Sequence, residues 1–238
     1  MPPTSATAAA GRSHGRSYTA PAVARQAHRI VVVIRWNGIT SGLKDSSSDP
    51  AGSASRAALR RRLIAERAAF AAGDAAADAS RALAAALAAV IVELEPDCLG
   101  VYSPMRHEFN VADALEADSR LAALDLALPF ARRDPVAMEY RRWDRRVASL
   151  SDELGLPTGA GPRVVPDVVL VPCVGFSADG WRLGYGGGYF DRWLAAHPHV
   201  TSVGVAWSFA EIDAQAAAAA PHDQLLTLVV TERGVVGA

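Results

Sequence analysis

The chain has 238 residues, of which 50% are apolar and 21% are charged, and its 24 basic and 25 acidic residues leave a net charge of −1. This composition excludes collagen, a coiled coil, a fully disordered chain and a disulfide scaffold, and its charge balance does not point to a nucleic-acid partner. The longest apolar runs, residues 30–34 and 82–92, fall short of the roughly 18 to 20 residues that span a bilayer, so no membrane segment is expected. Cys98 and Cys173 lack the spacing of a disulfide framework or a zinc site, which favours a reducing, cytoplasmic location.

The first 55 residues differ in character from the rest of the chain. They carry five arginines and one lysine against two aspartates, a net charge of +4, whereas residues 56–238 carry 18 basic against 23 acidic residues. Because the segment is rich in small and polar residues and has one short apolar island, we expect residues 1–55 to be a flexible, disordered extension. Its arginine-rich start is compatible with a transit peptide or with a start codon placed too far upstream.

Beyond residue 55 the apolar residues recur at helical spacing in two segments, which predicts two helices ahead of the first strand. Short apolar runs follow at residues 98–102, 126–130, 168–171, 203–207 and 226–230, with helical stretches between them, one of which begins at Asn110. This alternation predicts an α/β fold of three layers, with a largely parallel sheet and helices on both faces. Residues 141–163 are polar and contain three glycines, and we expect a helix there followed by a surface connection.

A glycine-rich segment that follows the buried run at residues 168–171 is the most informative part of the sequence. It reads G-W-R-L-G-Y-G-G-G-Y-F-D-R from Gly180 to Arg192 and leads into a helical pattern. Glycines between a strand and a helix present backbone N–H groups and a helix N-terminus to an anion. Arg182 can add a phosphate contact and Tyr189 an aromatic face. A tight turn alone would need one or two glycines, so we interpret this segment as a ligand-binding loop that is neither a P-loop nor GxGxxG.

The same segment resembles the signature of the 5-formyltetrahydrofolate cyclo-ligase family, in which a D-L-x-x-x-P-G-x-x-F strand precedes G-x-R-L-G-x-G-x-G-Y-Y-D. Weaker motifs agree in the family's order along residues 56–232. They are R-A-A-L-R from Arg56, similar to K-x-x-L-R; Y-S-P-M-R-H-E from Tyr102, similar to Y-x-P-x-x-x-E; G-L-P at residues 155–157, similar to G-I-P-E-P; and P-H-D at residues 221–223, similar to P-x-x-x-D. The order of these pieces makes chance agreement hard to sustain.

The resemblance implies a single α/β catalytic domain over residues 56–238, a monomer that cyclises 5-formyltetrahydrofolate to 5,10-methenyltetrahydrofolate with ATP and Mg²⁺. It implies a ligase of one-carbon metabolism whose partners are a reduced folate and the co-substrate ATP, and it assigns no side chain as catalytic. The implied ATP-binding residues are Arg56, Arg60, Arg182, Leu183, Gly184, Tyr185, Gly186, Gly187, Gly188, Tyr189 and Phe190. The implied folate-binding residues are Ser103, Glu108, Tyr185, Gly186, Gly187, Gly188 and Tyr189, and the implied metal ligands are Asp191 and Asp223.

The sequence departs from the family pattern at three of these positions. Arg56 stands where the family has an ATP-contacting lysine, which keeps the charge but changes its geometry. Phe190 replaces a frequent tyrosine, and Ser103 stands where bacterial members often have an aromatic residue. The departures at Phe190 and Ser103 concern the folate-side contacts more than the ATP loop.

Several candidate residues also have an interpretation that needs no ligand. Arg56 and Arg60 are four residues apart and share a helical face, where they either reach one polyphosphate or belong to a solvated basic stripe with Arg61, Arg62 and Arg67. Asp191 either shares Mg²⁺ with Asp223 or interacts with the dipole of the helix it starts. Glu108 either orients the pterin or is an exposed loop residue.

Two other functions stay open from the residues alone. The first is a non-catalytic module that binds a nucleotide or phosphosugar at the glycine loop, with the arginine-rich extension contacting RNA or an acidic partner. The extension has few aromatic residues for base stacking, which counts against it. The second is a cofactor-free sugar-phosphate isomerase, which would need a general base beside the loop. Consumption of ATP separates both from the cyclo-ligase.

Overall fold

The computed structural model describes residues 50–146, 149–213, 220 and 222–237. Residues 1–49 of the predicted extension therefore lie outside the described residues. Its last residues, 50–55, belong to the first helix, which begins at position 50. The helices are α1 (Pro50–Ala71), α2 (Ala76–Leu94), α3 (Val111–Ala117) and α4 (Tyr189–Ala196), with short 3-10 turns at Ser119–Leu121 and Ser208–Ala210. The strands are β1 (Cys98–Gly100), β2 (Asp125–Arg132), β3 (Ala137–Trp143), β4 (Leu150–Ser151), β5 (Pro157–Thr158), β6 (Arg163–Val164), β7 (Val168–Pro172), β8 (Gly175–Phe176), β9 (Arg182–Leu183), β10 (Thr201–Val205), β11 (Leu228–Thr231) and β12 (Gly234–Val236).

Eight strands form one sheet in the order β12-β11-β10-β7-β1-β2-β3-β6. The five central strands, from β11 to β2, pair in parallel, whereas β12, β3 and β6 add antiparallel edges. All five residues of β7 are buried, as a continuous apolar strand in the middle of a parallel sheet must be, since helices cover both of its faces. The prediction of a largely parallel α/β sheet is confirmed.

The alternation of side chains along β7 builds a core on each face of the sheet. Val168 and Leu170 pack with α2 and α3 on one face, while Val169 and Val171 pack with α4 on the other. Successive side chains of a strand point to opposite faces, so one short apolar run supplies both cores. The predicted three layers and the two N-terminal helices are confirmed, and the side chain of Asn110 caps α3 as expected, accepting a hydrogen bond from the amide of Ala112.

The helix predicted near residue 141 is wrong, because residues 137–143 form strand β3. This strand pairs antiparallel with β2 along its whole length, from Ala137 opposite Arg132 to Trp143 opposite Leu126. The ring of Tyr140 is buried on one face, and on the other face the guanidinium of Arg141 lies 3.8 Å from the centre of the Phe130 ring. Long arginine side chains cover apolar surface with their stems, so a strand rich in arginine reads as polar in the sequence although it is half-buried.

Helix α1 is fixed to the β8–β9 hairpin, which leads into the glycine-rich segment. Leu63 is fully buried there against Val174, Trp181 and Leu183. The approach is close, since a side chain at Gly175 would place its first carbon 2.7 Å from Leu63. Among the described residues no single helix is long and apolar enough to cross a membrane, and α1 and α2 reach that threshold only as a pair bent by 106°.

Two buried tyrosines allow a direct test of polar burial in these cores. The hydroxyl of Tyr102 donates a hydrogen bond to the carbonyl of Phe109 at 2.9 Å, whereas that of Tyr140 has no partner among the described residues. We expect Tyr140→Phe to leave the free energy of unfolding unchanged or to raise it, and Tyr102→Phe to lower it by about 1 kcal/mol, because only the second loses a bond. Urea unfolding of both variants measures this, and equal losses would contradict the assignment.

Candidate active site

A cavity of about 390 Å³ lies between α1, the glycine-rich segment and the β2–β3 hairpin. One part of its wall is polar and one part is apolar. The polar part is formed by Arg56, Arg60, Arg182, Gly184, Tyr185, Gly186, Gly187, Gly188, Tyr189, Asp191, His222 and Asp223. The apolar part includes Met105, Pro129, Ala131, Met138, Leu154 and Leu156. The cavity therefore suits a ligand, or a pair of ligands, with an anionic end and a flat apolar end.

The glycine-rich segment turns sharply before α4 and exposes its backbone to this cavity. Gly186 has a φ of +95°, and Gly188, the N-cap of α4, has a φ of +64°. Glycine adopts such angles without the steric cost that other residues have. The N-terminus of α4, where unpaired N–H groups carry partial positive charge, thus begins at the cavity wall.

Two arginines of α1 reach the cavity from the opposite side, as their spacing predicts. The Nε atom of Arg60 donates a hydrogen bond to the carbonyl oxygen of Gly184 at 2.6 Å. The Nη1 atom of Arg56 lies 3.2 Å from Oδ2 of Asp223. Burial, and then the nearby charge of Arg56, lower the pKa of Arg60 below its ordinary value, which remains far above neutral pH for a guanidinium. Two positive charges therefore face the glycine-lined part of the wall.

Both candidate metal ligands line the cavity, and each is paired with an arginine. Oδ2 of Asp191 accepts a hydrogen bond from Arg182 at 3.1 Å, and its Oδ1 is 3.4 Å from the backbone nitrogen of Gln224. Asp223 accepts hydrogen bonds from Arg56 and, at 3.0 Å, from the indole of Trp181. The described residues contain no cluster of three or more His, Cys, Asp or Glu side chains that could hold a metal alone.

Glu108 is not an exposed loop residue, since its side chain is only 3% accessible. Oε2 accepts a hydrogen bond from the backbone nitrogen of Met105, and Oε1 is 3.7 Å from Nη1 of Arg67. Oε1 has no hydrogen-bond partner in the part of the chain that the structure describes. Burial raises the pKa of Glu108 above its ordinary value, although the Met105 amide and Arg67 act in the opposite direction. The carboxyl group is hydrogen-bonded to Met105, which lines the cavity, whereas Glu108 itself is not one of the lining residues.

The remaining candidates are divided between this cavity and its surroundings. Ser103 donates a hydrogen bond to the carbonyl of Pro157 and lines a second cavity of about 430 Å³, not the first. Tyr189 lines the first cavity and donates a hydrogen bond to the carbonyl of Arg132 at 3.1 Å. Leu183 and Phe190 also line the first cavity; Leu183 belongs to the buried cluster that fixes α1, and Phe190 lies under the guanidinium of Arg182.

Two residues of the site were missed by sequence reasoning. Arg67 was predicted to belong to a solvated basic stripe on α1. It is buried instead, and its Nη2 donates a hydrogen bond to the hydroxyl of Tyr185. Its position on the same helical face as Arg56, Arg60 and Leu63 is the signal that could have identified it. The indole of Trp181 donates a hydrogen bond to Asp223 across the cavity wall. No local pattern in the sequence predicts that contact.

The family model described as the 5-formyltetrahydrofolate cyclo-ligase family matches residues 52–232. The chain belongs to this family. The match begins within α1 and ends one residue after β11, so it includes every wall of the cavity described above.

Individual proteins similar to this chain agree with its assignment to the cyclo-ligase family. A 5-formyltetrahydrofolate cyclo-ligase of Mycoplasma pneumoniae is 39% identical over 67 residues, which are 28% of this chain and 39% of that protein. The structure of a 5,10-methenyltetrahydrofolate synthetase from the same organism superposes with a TM-score of 0.58 at 21% identity, covering 74% of this chain and 98% of that one. An Aquifex aeolicus 5,10-methenyltetrahydrofolate synthetase gives 0.61 at 24% identity, covering 76% and 91%. The fold of the family is therefore confirmed.

The conformation of Gly186 gives a test of the cyclo-ligase glycine segment. A side chain there would meet the guanidinium of Arg60 at 3.4 Å, in a backbone conformation with φ of +95°. We expect Gly186→Ala to weaken ATP binding by about tenfold, equivalent to about 1.4 kcal/mol, because a residue with a side chain disfavours this φ and the backbone turn at the cavity wall must shift. Calorimetric titration with ATP measures the change.

Gly234 provides the matched control, since its φ is +112° and open space surrounds it in the β11–β12 turn. Gly234→Ala carries a comparable backbone cost of about 1–2 kcal/mol, but it should leave ATP affinity unchanged. Equal affinities in the two variants would remove the glycine segment from the nucleotide site.

Proposed function

We propose that the protein is an ATP-dependent ligase that cyclises 5-formyltetrahydrofolate to 5,10-methenyltetrahydrofolate and releases ADP and phosphate. The observation that carries the proposal is the single cavity in which an arginine- and glycine-lined wall meets an apolar wall, in a chain of this family. The reaction requires that the formyl oxygen of the folate be held next to a polyphosphate. A cavity with these two walls supplies that arrangement.

The polar wall is the proposed nucleotide side. Arg56, Arg60 and Arg182 can neutralise phosphate charge, while the backbone of Gly186 to Gly188 and the N-terminus of α4 offer N–H donors. Phosphoryl transfer depends mainly on positioning and on charge stabilisation, so an enzyme of this class needs no nucleophilic side chain. The absence of an assigned catalytic residue is consistent with that chemistry.

The apolar wall is the proposed folate side. Met105, Pro129, Met138 and Leu154 form a surface suited to a pterin and its aromatic linker. Behind Met105, Oε1 of Glu108 is ion-paired with Arg67 but accepts no hydrogen bond among the described residues, so it can accept one from a ring N–H donor of a pterin. Tyr185 and Tyr189 stand where the two walls meet, so both ligands can contact them.

Asp191 and Asp223 fit a Mg²⁺ ion that arrives with ATP. Such ions are held by one or two carboxylates together with phosphate oxygens and water, and both carboxylates lie on the polar wall beside the proposed phosphate donors. When bound, Mg²⁺ would neutralise charge on the β- and γ-phosphates. The arginines that now pair with the two aspartates would then turn to the phosphates.

In the proposed reaction the formyl oxygen attacks the γ-phosphorus of ATP, and ADP leaves. The nitrogen at position 10 then attacks the activated carbon and loses its proton, and phosphate departs with that proton as hydrogen phosphate to give the methenyl product. The protein's part is to align the formyl group with the phosphate and to keep water from the phosphorylated intermediate. Arg56 and Arg60 stabilise the charge that develops on the transferred phosphoryl group, and here Arg56 acts in place of the family's lysine.

We also propose a monomeric, cytoplasmic enzyme. Cys98 and Cys173 are both free thiols, which is consistent with a reducing compartment because disulfides form and persist mainly in oxidising ones. Sedimentation of the purified chain tests the monomer.

The decisive experiment mixes the protein with 5-formyltetrahydrofolate, ATP and Mg²⁺ and follows the near-ultraviolet absorbance of the methenyl product. We expect product only when all three are present, with ADP formed in equal amount. Folates with one and with several glutamates should both be tried. Folded protein that binds ATP but forms no product from either would favour the non-catalytic binding module.

The pairing of Asp223 with Arg56 predicts that substitution of Asp223 affects ATP affinity differently with and without Mg²⁺. In Asp223→Asn, Arg56 loses its carboxylate partner, so ATP should bind more tightly than to the wild type when Mg²⁺ is absent. The gain in ATP affinity that Mg²⁺ gives should shrink by about tenfold or more, because one carboxylate ligand is lost. Calorimetry with and without Mg²⁺ measures both changes.

Asp125→Asn is the matched control, since Asp125 pairs with Arg142 at an exposed site that is not part of the cavity wall. It should behave as the wild type in both titrations. An unchanged Mg²⁺ effect in Asp223→Asn would exclude Asp223 as a metal ligand.

A further inference from the structure

Arg67 is the most deeply buried charged side chain of α1, with 4% of its surface accessible. Its guanidinium contacts two separate parts of the site. Nη2 donates a hydrogen bond to the hydroxyl of Tyr185 in the glycine-rich segment. Nε donates to the carbonyl of Arg106 at 3.0 Å, and Nη1 lies 3.7 Å from Oε1 of Glu108, both in the loop after β1. One side chain thus connects the proposed nucleotide side with the proposed folate side.

The loop that Arg67 contacts has a strained backbone. Arg106 and His107 both have positive φ, +47° and +64°, a conformation that residues other than glycine adopt rarely and at a cost. Such a turn persists only where its surroundings hold it. The bond from Arg67 to the carbonyl of Arg106 is one such restraint, and the turn directly precedes Glu108.

The surroundings of Glu108 make its charge depend on Arg67. Burial raises the pKa of Glu108, and the Met105 amide, Arg67, the nearby hydroxyl of Tyr185 and Arg182 lower it. Burial and the charge of Glu108 together raise the pKa of Tyr185 to about 12, so this tyrosine stays neutral. The ionisable and charged groups around the carboxyl are Arg67 of α1, Arg182 of β9, Tyr185 of the glycine-rich segment, Tyr102 and Arg106 of the loop after β1, and Cys173 after β7.

We propose that Arg67 is a positioning residue that keeps Glu108 as a carboxylate and orients Tyr185, so that both sides of the cavity are held in register. Arg67 does not line the cavity and acts through these two residues. The part of the proposal that concerns folate affinity rests on the function proposed above, whereas the part that concerns the charge of Glu108 does not. A residue that only fills space would affect neither charge nor ligand selectivity.

The first experiment needs no ligand and compares Arg67→Met with the wild type in urea unfolding at about pH 7.5 and about pH 4.5. The raised pKa means that ionised Glu108 destabilises the folded state above its ordinary pKa, and that this penalty disappears when acid protonates the carboxyl in both states. Removal of Arg67 increases the penalty. We therefore expect the factor by which Arg67→Met raises the unfolding equilibrium constant to be about tenfold or more larger at pH 7.5 than at pH 4.5, one pKa unit being tenfold.

Two variants make this result specific. In a Glu108→Gln background the charge is absent, so Arg67→Met should cause the same loss at both pH values. Arg62→Met removes an arginine of α1 that is 61% exposed, and it should have little effect at either pH. Equal losses at the two pH values in Arg67→Met itself would overturn the proposal. If Arg67→Met does not fold, Arg67→Gln gives the comparison with the same expected dependence on pH, since it removes the charge but keeps a side-chain amide donor.

The second experiment separates the two ligands. In Arg67→Met the affinity for 5-formyltetrahydrofolate should fall by about tenfold, and its decline in acid should begin at a higher pH, while ATP affinity stays within about twofold because Arg56 and Arg60 are intact. Unchanged folate affinity and pH profile would overturn the coupling of the two sides. Wild-type protein that binds no folate would contradict the proposed function, and the unfolding experiment would still test the charge of Glu108.

Discussion

The site depends on one face of α1 and its contact with the glycine-rich segment. Arg56, Arg60, Leu63 and Arg67 share that face, and Leu63 fixes it to the hairpin that leads into the glycines. The arginines meet partners more than 100 residues away at Asp223, Gly184 and Tyr185, and Arg67 also meets the loop after β1. These contacts form only when the whole domain is folded, so the cavity exists as a product of tertiary structure and not of any single motif.

The charges of the cavity are balanced before any ligand binds. Arg56 pairs with Asp223 and Arg182 with Asp191, so the groups suited to phosphate and those suited to a cation satisfy one another. Buried charges are tolerated when they are paired. The two ion pairs therefore explain how the cavity wall can keep four largely buried charged side chains. The proposed nucleotide with its metal offers each partner a replacement, so the exchange need not leave a buried charge uncompensated.

The proposed folate side follows a different principle. Its wall is formed by apolar residues of the β2–β3 hairpin and of the loop that contains Leu154 and Leu156, and the proposal concentrates its polar recognition in the buried carboxyl of Glu108. A buried acceptor that accepts no hydrogen bond is costly, and a ligand donor can meet it. Arg67 offsets part of that cost through its charge.

Local patterns in the sequence were sufficient for the two N-terminal helices, the five parallel strands at the centre of the sheet, the glycine turn before α4 and the family, because each depends on residues close together in the chain. The run at residues 168–171 is an example, since an uninterrupted apolar strand has to be covered on both faces. Strand β3 escaped this reasoning because Arg141 and Arg142 look exposed until β2 pairs with them. The burial of Arg67, the bond from Trp181 to Asp223 and the position of Ser103 on a second cavity were decided by tertiary structure alone, because each depends on which distant side chain lies opposite, and a sequence contains no distances.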